Sequence, residues 1–170
     1  MNKKFKGKYH SGSMRAGWWD YAGNGSYFVT ICTKDRIHYF GTIQEGKMIL
    51  SALGQAAYDC WEEIPKHYPY VAIDAFVIMP DHMHGILLVN RYEEPPKEIS
   101  KSTAKREFKV QSGSLGAIIR GYKIGVTKRA KELNIDFKWH PNYHEHIFHT
   151  IEAYHNIVRY IHENPSKWKK

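Results

Sequence analysis

Two histidines one residue apart, His82 and His84, stand in IMPDHMHGILLV directly after a Met-Pro-Asp turn. Alternate side chains of a strand share a face, so both imidazoles sit together at the start of one, about 7 Å apart at Cα, ahead of Ile86 and Leu88. Two imidazoles so placed can converge on one cation. Imidazole suits Mn, Fe, Co, Ni or Zn and Mg prefers oxygen, so the pair does not by itself name the metal. Such a cation needs a third ligand and open coordination positions before it does chemistry. The bland alternative is a pair of rim histidines hydrogen-bonded to backbone or water. Eleven histidines in 170 residues give about 0.7 His-x-His pairs by chance, so the motif needs independent support.

A second pair, His144 and His146 in NYHEHIF, has the same spacing, with His140, His149 and Glu145 nearby. On ligand count it is the richer zinc candidate. Its spacing matches no common structural zinc arrangement, however, and no cysteine supports it. Local sequence leaves the two clusters unresolved, and the last helix breaks the tie. Tyr160 and Asn164 in RYIHEN are four residues apart and share one helix face. They flank an apolar stripe, Ile151, Tyr154, Ile157 and Ile161, that should pack on the sheet. Asn offers an amide oxygen as a third metal ligand. Tyr offers a phenol, a nucleophile once its proton is taken and the attacked group is polarised. The alternative is an ordinary flank tyrosine with an asparagine near a C-cap. Tyr122, in RGYKIG, is the rival nucleophile, but position i+4 from it is Val126, which is no ligand.

The elements that must position these groups are legible from periodicity and punctuation. SYFVTICT (Ser26 to Thr33) reads as a first strand. RIHYFG and KMILS form an expected hairpin around Gln44-Glu45-Gly46. Apolar residues at 53, 56, 57, 60, 61 and 64 predict a helix capped by Ser51 and ended near Pro65. Val71 to Met79 and His84 to Val89 are expected to pair antiparallel through a tight Pro80-Asp81 turn. SLGAIIRGYKIGVTKRAKEL predicts a basic helix from a Ser114 cap to Leu133. A short strand follows around Tyr143 to His149, then a helix from a Thr150 cap to just before Pro165. Residues 1–17 read as a mobile basic arm and about 91–112 as a flexible loop within a single domain spanning 18–170. Consecutive antiparallel strands with separated helices make the fold class α+β, one sheet with helices packed on a face.

The net charge of +8 and pI near 9.4 favour a polyanionic partner, and twelve Tyr with five Trp offer stacking surfaces for unpaired bases. Arg120, Lys123, Lys128, Arg129 and Lys131 on the basic helix could hold a DNA backbone, although a solvated basic face is the plain alternative. The two cysteines, Cys32 and Cys60, sit in apolar contexts outside any C-x-x-C spacing and read as buried free thiols of a reducing cytoplasm. No secretory signal or membrane-length apolar run is visible, so the expectation is a soluble cytoplasmic protein. No nucleotide-binding P-loop is present either.

FVTICTKDR, IMPDHMHGILLV, the basic helix beginning SLG, WHPNYHEHIF and YIHENP, in this order, resemble the single-tyrosine HUH transposases related to the insertion-sequence-200 group. The branch they look most like is the REP-associated tyrosine transposases, over nearly the whole chain, about Arg15 to Trp168. The resemblance implies a ferredoxin-like α+β domain whose central strand carries His82 and His84 as ligands of Mg2+ or Mn2+. Asn164 would be the third ligand, where some relatives have Gln, and Tyr160 the nucleophile. It further implies that Tyr160 attacks single-stranded DNA at REP-like hairpins, forming a 5′-phosphotyrosine and a free 3′-OH, and that a 3′-OH reverses the step. Arg15, Asp20 and Tyr21 match a common family opening and are expected to help read target bases. His140 and His144 stand where relatives often have Gln and Tyr, which argues that the second cluster is incidental. Relatives include monomers and swapped dimers, so either state is compatible. The alternatives are a domesticated protein that grips hairpin DNA without turnover, and a relaxase-type nickase, which usually places its Tyr before the histidines.

Overall fold

The computed structural model describes residues 24–91 and 113–168. The expected N-terminal arm, Arg15, Asp20, Tyr21 and nearly all of the expected 91–112 loop lie outside the described residues.

Strand β1 (Gly25–Cys32) leads through a turn at Lys34–Arg36 to a hairpin, β2 (Gly41–Gln44) and β3 (Lys47–Leu50). Helix α1 (Ala52–Glu62) and the single turn α2 (Ile64–His67) precede β4 (Val71–Met79) and β5 (His82–Val89). Helix α3 (Leu115–Glu132), β6 (His144–Ile147) and α4 (Ile151–Glu163) complete the described chain. The main sheet has the order β4-β5-β1-β6 and every neighbouring pair is antiparallel. That is the ferredoxin-like arrangement, with β1 and β5 in the centre. The β2–β3 hairpin stands apart as a two-stranded sheet.

Local chemistry accounts for the boundaries. Ser51, Ser114 and Thr150 each accept a hydrogen bond from the backbone N–H three residues on, capping α1, α3 and α4 at the expected positions. The β2–β3 turn places Glu45 at φ 51° and Gly46 at φ 72°, the left-handed pair that a twisted two-residue hairpin demands. The segment from Arg36 to Phe40, expected as the first hairpin strand, is irregular instead. Arg36 has φ 56°, and Phe40 is fully buried against Phe137 and Trp139. A side chain docked in the core and a left-handed residue are both incompatible with an extended edge strand.

Alternation along β1 and β5 divides the domain. Tyr27, Val29 and Ile31 of β1 join Met83 and Leu87 of β5 in the core with Leu53, Ala57 and Trp61 of α1 and Leu115, Ile118 and Tyr122 of α3. Helices α1 and α3 therefore cover one face of the sheet. Gly85 belongs to that face because Trp61 needs the room: a Cβ there would lie 2.4 Å from Trp61 Cζ2. The opposite face carries Phe28, Thr30, Cys32, His82 and His84 and is crossed by α4. The expected apolar stripe of α4 is only partly realised. Ile161 is fully buried, whereas Ile151, on the first helical turn, is 72% exposed.

Candidate active site

His82 and His84 open β5 on the face under α4, and both are buried, each 5% exposed. Their Nε2 atoms approach to 3.1 Å. Their Nδ1 atoms point away, each to its own partner. His82 Nδ1 lies 2.5 Å from Asp81 Oδ1, so its N–H donates to the carboxylate and its Nε2 keeps a lone pair. His84 Nδ1 lies 2.7 Å from Thr30 Oγ1, a hydroxyl that can donate or accept. The pairing register places these groups, since Thr30 is opposite His84 and Cys32 opposite His82 on the antiparallel neighbour. Asp81 is itself 4% exposed and is matched by Arg36, whose Nε is ion-paired with its Oδ2 at 3.0 Å.

Burial holds both imidazoles neutral. It lowers the pKa of His82, opposed by the hydrogen bond and charge of Asp81. His84 falls to about 3, first through burial, then because His82 beside it disfavours a second proton on the pair, and then through the Arg36 charge. Neutral imidazoles with outward N–H donors to carboxylate or hydroxyl are the form in which histidine binds metal. The Nε2 separation also fits. Two nitrogens about 2.1 Å from one cation lie about 3.0 Å apart at a right angle and about 3.4 Å apart at a tetrahedral one.

Tyr160 lies over this pair from α4, with its Oη 3.2 Å from His84 Nε2. Its ring stands edge-on to His84 and Phe28, while Phe28 stacks on His84 at 5.3 Å between centroids. These contacts orient the phenol, which is still 48% exposed and open to a substrate. Tyr160 and Asn164 share a pocket of about 340 Å3 with Thr30, Arg36, His82, His84, Lys167 and Trp168. Trp168 packs on His82 at 5.7 Å, and Lys167 is ion-paired with Glu163. The His82, His84, Tyr160 and Asn164 side chains thus come together within one chain.

The remaining candidates separate from them. Tyr122 is 3% exposed on the opposite side of the sheet, against Trp61 and Trp139. Burial raises its phenol well above the ordinary range, so it is no nucleophile. His144 and His146 pair with Thr30 and Phe28 on the edge strand but are exposed, as are His140 and His149. Among the described residues no three His, Cys, Asp or Glu side chains gather around a possible cation. Both cysteines are free but half-buried rather than buried, and burial raises both thiols.

On the basic helix, Arg120 and Lys128 are exposed, whereas Lys123 has an internal task. Its Nζ donates to the carbonyls of His140, Pro141 and Asn142 at 2.8, 3.3 and 3.2 Å, tying α3 to the segment before β6. Burial lowers its ammonium to about 8, although the three carbonyls favour the charged form. Arg120, Lys123, Lys128 and Lys131 line a groove of about 700 Å3 with Ile124 and Tyr143, around the sheet edge from the tyrosine pocket. Sequence reasoning missed Thr30, Asp81 and Arg36. Asp81 adjoins the His pair, and Thr30 alternates correctly on β1, but only the strand register connects either to a histidine nitrogen.

The sheet order and the helices around it are the fold of a tyrosine transposase. The solved structure of a REP-associated tyrosine transposase bound to a REP hairpin superposes with a TM-score of 0.60 at 20% sequence identity, covering 91% of this chain and 74% of that one. The resemblance to the single-tyrosine HUH transposases therefore holds at the level of fold. The chain belongs to one family with an uncharacterised protein of Haemophilus influenzae, to which it is 36% identical over 174 residues, covering 100% of this chain and 97% of that one. No protein-family profile matches. No helix among the described residues is long and apolar enough to cross a membrane.

Proposed function

We propose that the protein is a transposase-type endonuclease that cuts and rejoins single-stranded DNA through a 5′-phosphotyrosine on Tyr160. The observation that carries this reading is the placement of Tyr160 Oη 3.2 Å from His84 Nε2, with His82 Nε2 a further 3.1 Å away and Asn164 in the same pocket. The fold shared with a transposase solved on a REP hairpin supports hairpin-bearing DNA as the substrate class.

His82 and His84, through Nε2, and Asn164, through its amide oxygen, would hold one Mg2+ or Mn2+ ion. Bound there, the ion supplies positive charge to polarise a scissile phosphodiester. Tyr160 Oη attacks phosphorus: the Oη–P bond forms, the P–O3′ bond breaks, the phenol proton is lost and the leaving 3′ oxygen gains one. The reverse attack by a 3′-OH regenerates the phenol, and the stored phosphodiester makes a nucleotide cofactor unnecessary. Asp81 holds His82 in the tautomer whose Nε2 lone pair faces the pocket, and Thr30 does the same for His84 when its hydroxyl accepts from Nδ1. Tyr160 Oη and His82 Nε2 each lie within hydrogen-bonding distance of His84 Nε2, where a proton would block coordination. Loading therefore requires His84 to carry its proton on Nδ1, with Thr30 as acceptor.

The test is incubation with a hairpin-bearing single-stranded oligonucleotide and Mn2+ or Mg2+, followed by denaturing electrophoresis. A denaturation-resistant protein–DNA adduct is expected with the wild type and none with Tyr160→Phe. Hairpin binding with no adduct under either metal would identify a binding protein without turnover. An adduct undiminished in Tyr160→Phe would show that another residue is the nucleophile.

A further inference from the structure

We propose that Arg36 is a second catalytic residue, whose guanidinium donates from Nη2 to a non-bridging oxygen of the phosphate attacked by Tyr160. The inference rests on the reading of this pocket as a phosphodiester site. It arises from a backbone feature that packing alone does not explain. Asp35 and Arg36 are consecutive non-glycine residues in the left-handed region, at φ 54° and 56°, where each L-residue costs about 1–2 kcal/mol. Such strain persists only where surrounding structure over-determines it, and it concentrates at functional sites. Here the determinant is Thr33, fully buried. Its N–H and Oγ1 both donate to the Asp81 carbonyl, at 2.9 and 3.0 Å, and Oγ1 also reaches the Ile37 carbonyl at 2.8 Å. The turn is thereby anchored to the residue preceding the His pair.

The strained turn brings Arg36 back over the mouth of the pocket. Nε is ion-paired with Asp81 Oδ2 at 3.0 Å, and Nη1 donates to Cys32 Sγ at 2.8 Å. These two contacts lie on opposite sides of the guanidinium and fix its plane. The outer nitrogen, Nη2, has no partner among the described residues, and the side chain is 54% exposed while lining the same pocket as Tyr160. A guanidinium pinned through Nε and Nη1 and open at Nη2 presents a fixed N–H donor as well as a charge to a phosphate oxygen. The other cation lining the pocket, Lys167, differs in kind. It is 71% exposed and paired with Glu163 one helical turn away, an arrangement that fixes nothing toward the pocket. The contribution of Arg36 is to the growing charge on the non-bridging oxygens as Oη–P forms and P–O3′ breaks, with no proton transferred to or from it.

The experiment is single-turnover adduct formation by wild type, Arg36→Ala and Arg36→Lys at saturating Mn2+. The substrates are a hairpin oligonucleotide with a natural scissile phosphodiester and the same oligonucleotide with a neutral methylphosphonate there. Mn2+ affinity is measured in parallel by calorimetry. On the natural substrate Arg36→Ala should slow the adduct by about 100-fold, the scale of one lost oxyanion contact. Arg36→Lys, which retains charge and the approach to Asp81, should fall between. On the methylphosphonate the wild-type advantage should shrink to within about threefold, since the charged oxygen is gone. An Arg36→Ala effect that persists undiminished on the methylphosphonate, or that tracks weakened Mn2+ binding, would reduce Arg36 to a support for Asp81 and overturn the proposal. Failure of the wild type itself to form an adduct would overturn the reading of the pocket, which separates the two outcomes.

Discussion

Replacing Thr30 by Val tests the site at the point where sheet and chemistry meet. The two side chains are nearly isosteric, so the change removes one hydroxyl and little else. That hydroxyl is 2.7 Å from His84 Nδ1, and His84 is only 5% exposed, so water does not readily replace it. A buried polar atom left without a partner costs about 1–3 kcal/mol. For a chain of this size that corresponds to a fall of about 3–10 °C in Tm. The functional effect should exceed the stability effect. Without an acceptor at Nδ1 the ring loses both its tautomer preference and its orientation, and loss of such an outer partner typically lowers metal affinity by about 10–100-fold. Calorimetric titration with Mn2+ and a thermal melt on Thr30→Val and Thr30→Ser separate these effects. Thr30→Ser should bind Mn2+ within about threefold of wild type because the hydroxyl is kept. If Thr30→Val melts lower yet binds Mn2+ as tightly as wild type, the hydroxyl supports only the fold and the account of His84 given above is wrong.

Three further outcomes follow from the packing and the titrating groups. Gly85→Ala should destabilise by about 1–3 kcal/mol or more in urea melts, because its Cβ would meet Trp61 at 2.4 Å; an unchanged midpoint would mean that the ring moves freely. In metal-free buffer, stability should fall as pH drops below 6.5. The folded pKa of His84 is about 3, so the unfolded chain takes up the proton first, and the contribution present above pH 6.5 is lost toward pH 3. Between pH 7 and 5 this amounts to about 2 kcal/mol from His84 alone, and His84→Gln should show a correspondingly smaller drop than wild type. Lys123→Met should cost about 1–2 kcal/mol in a thermal or urea melt by freeing three carbonyls. DNA binding at moderate salt should weaken less in that variant than in Arg120→Ala or Lys128→Ala, whose side chains are free on the surface.

The periodicity of the chain determined which residues can act together within each element. His82 and His84 had to share a face because strand side chains alternate, and Tyr160 and Asn164 had to share one because four residues make about one helical turn. Ser51, Ser114 and Thr150 marked helix starts through a local hydrogen bond that needs no partner from elsewhere. What periodicity could not decide is which side of the sheet a helix covers, because that depends on contacts between residues far apart in the chain. Tyr122 and Tyr160 were equivalent in that respect until α3 packed on the core face and α4 on the other, burying one phenol and presenting the second to His84. The same holds for the supporting groups. Thr30 and His84 are 54 residues apart, and only the register of β1 on β5 makes them neighbours. Arg36 depended on tertiary structure most of all: its place beside Asp81 comes from a left-handed turn without glycine, held by a buried threonine. Local propensity argues against that conformation, and long-range hydrogen bonds impose it.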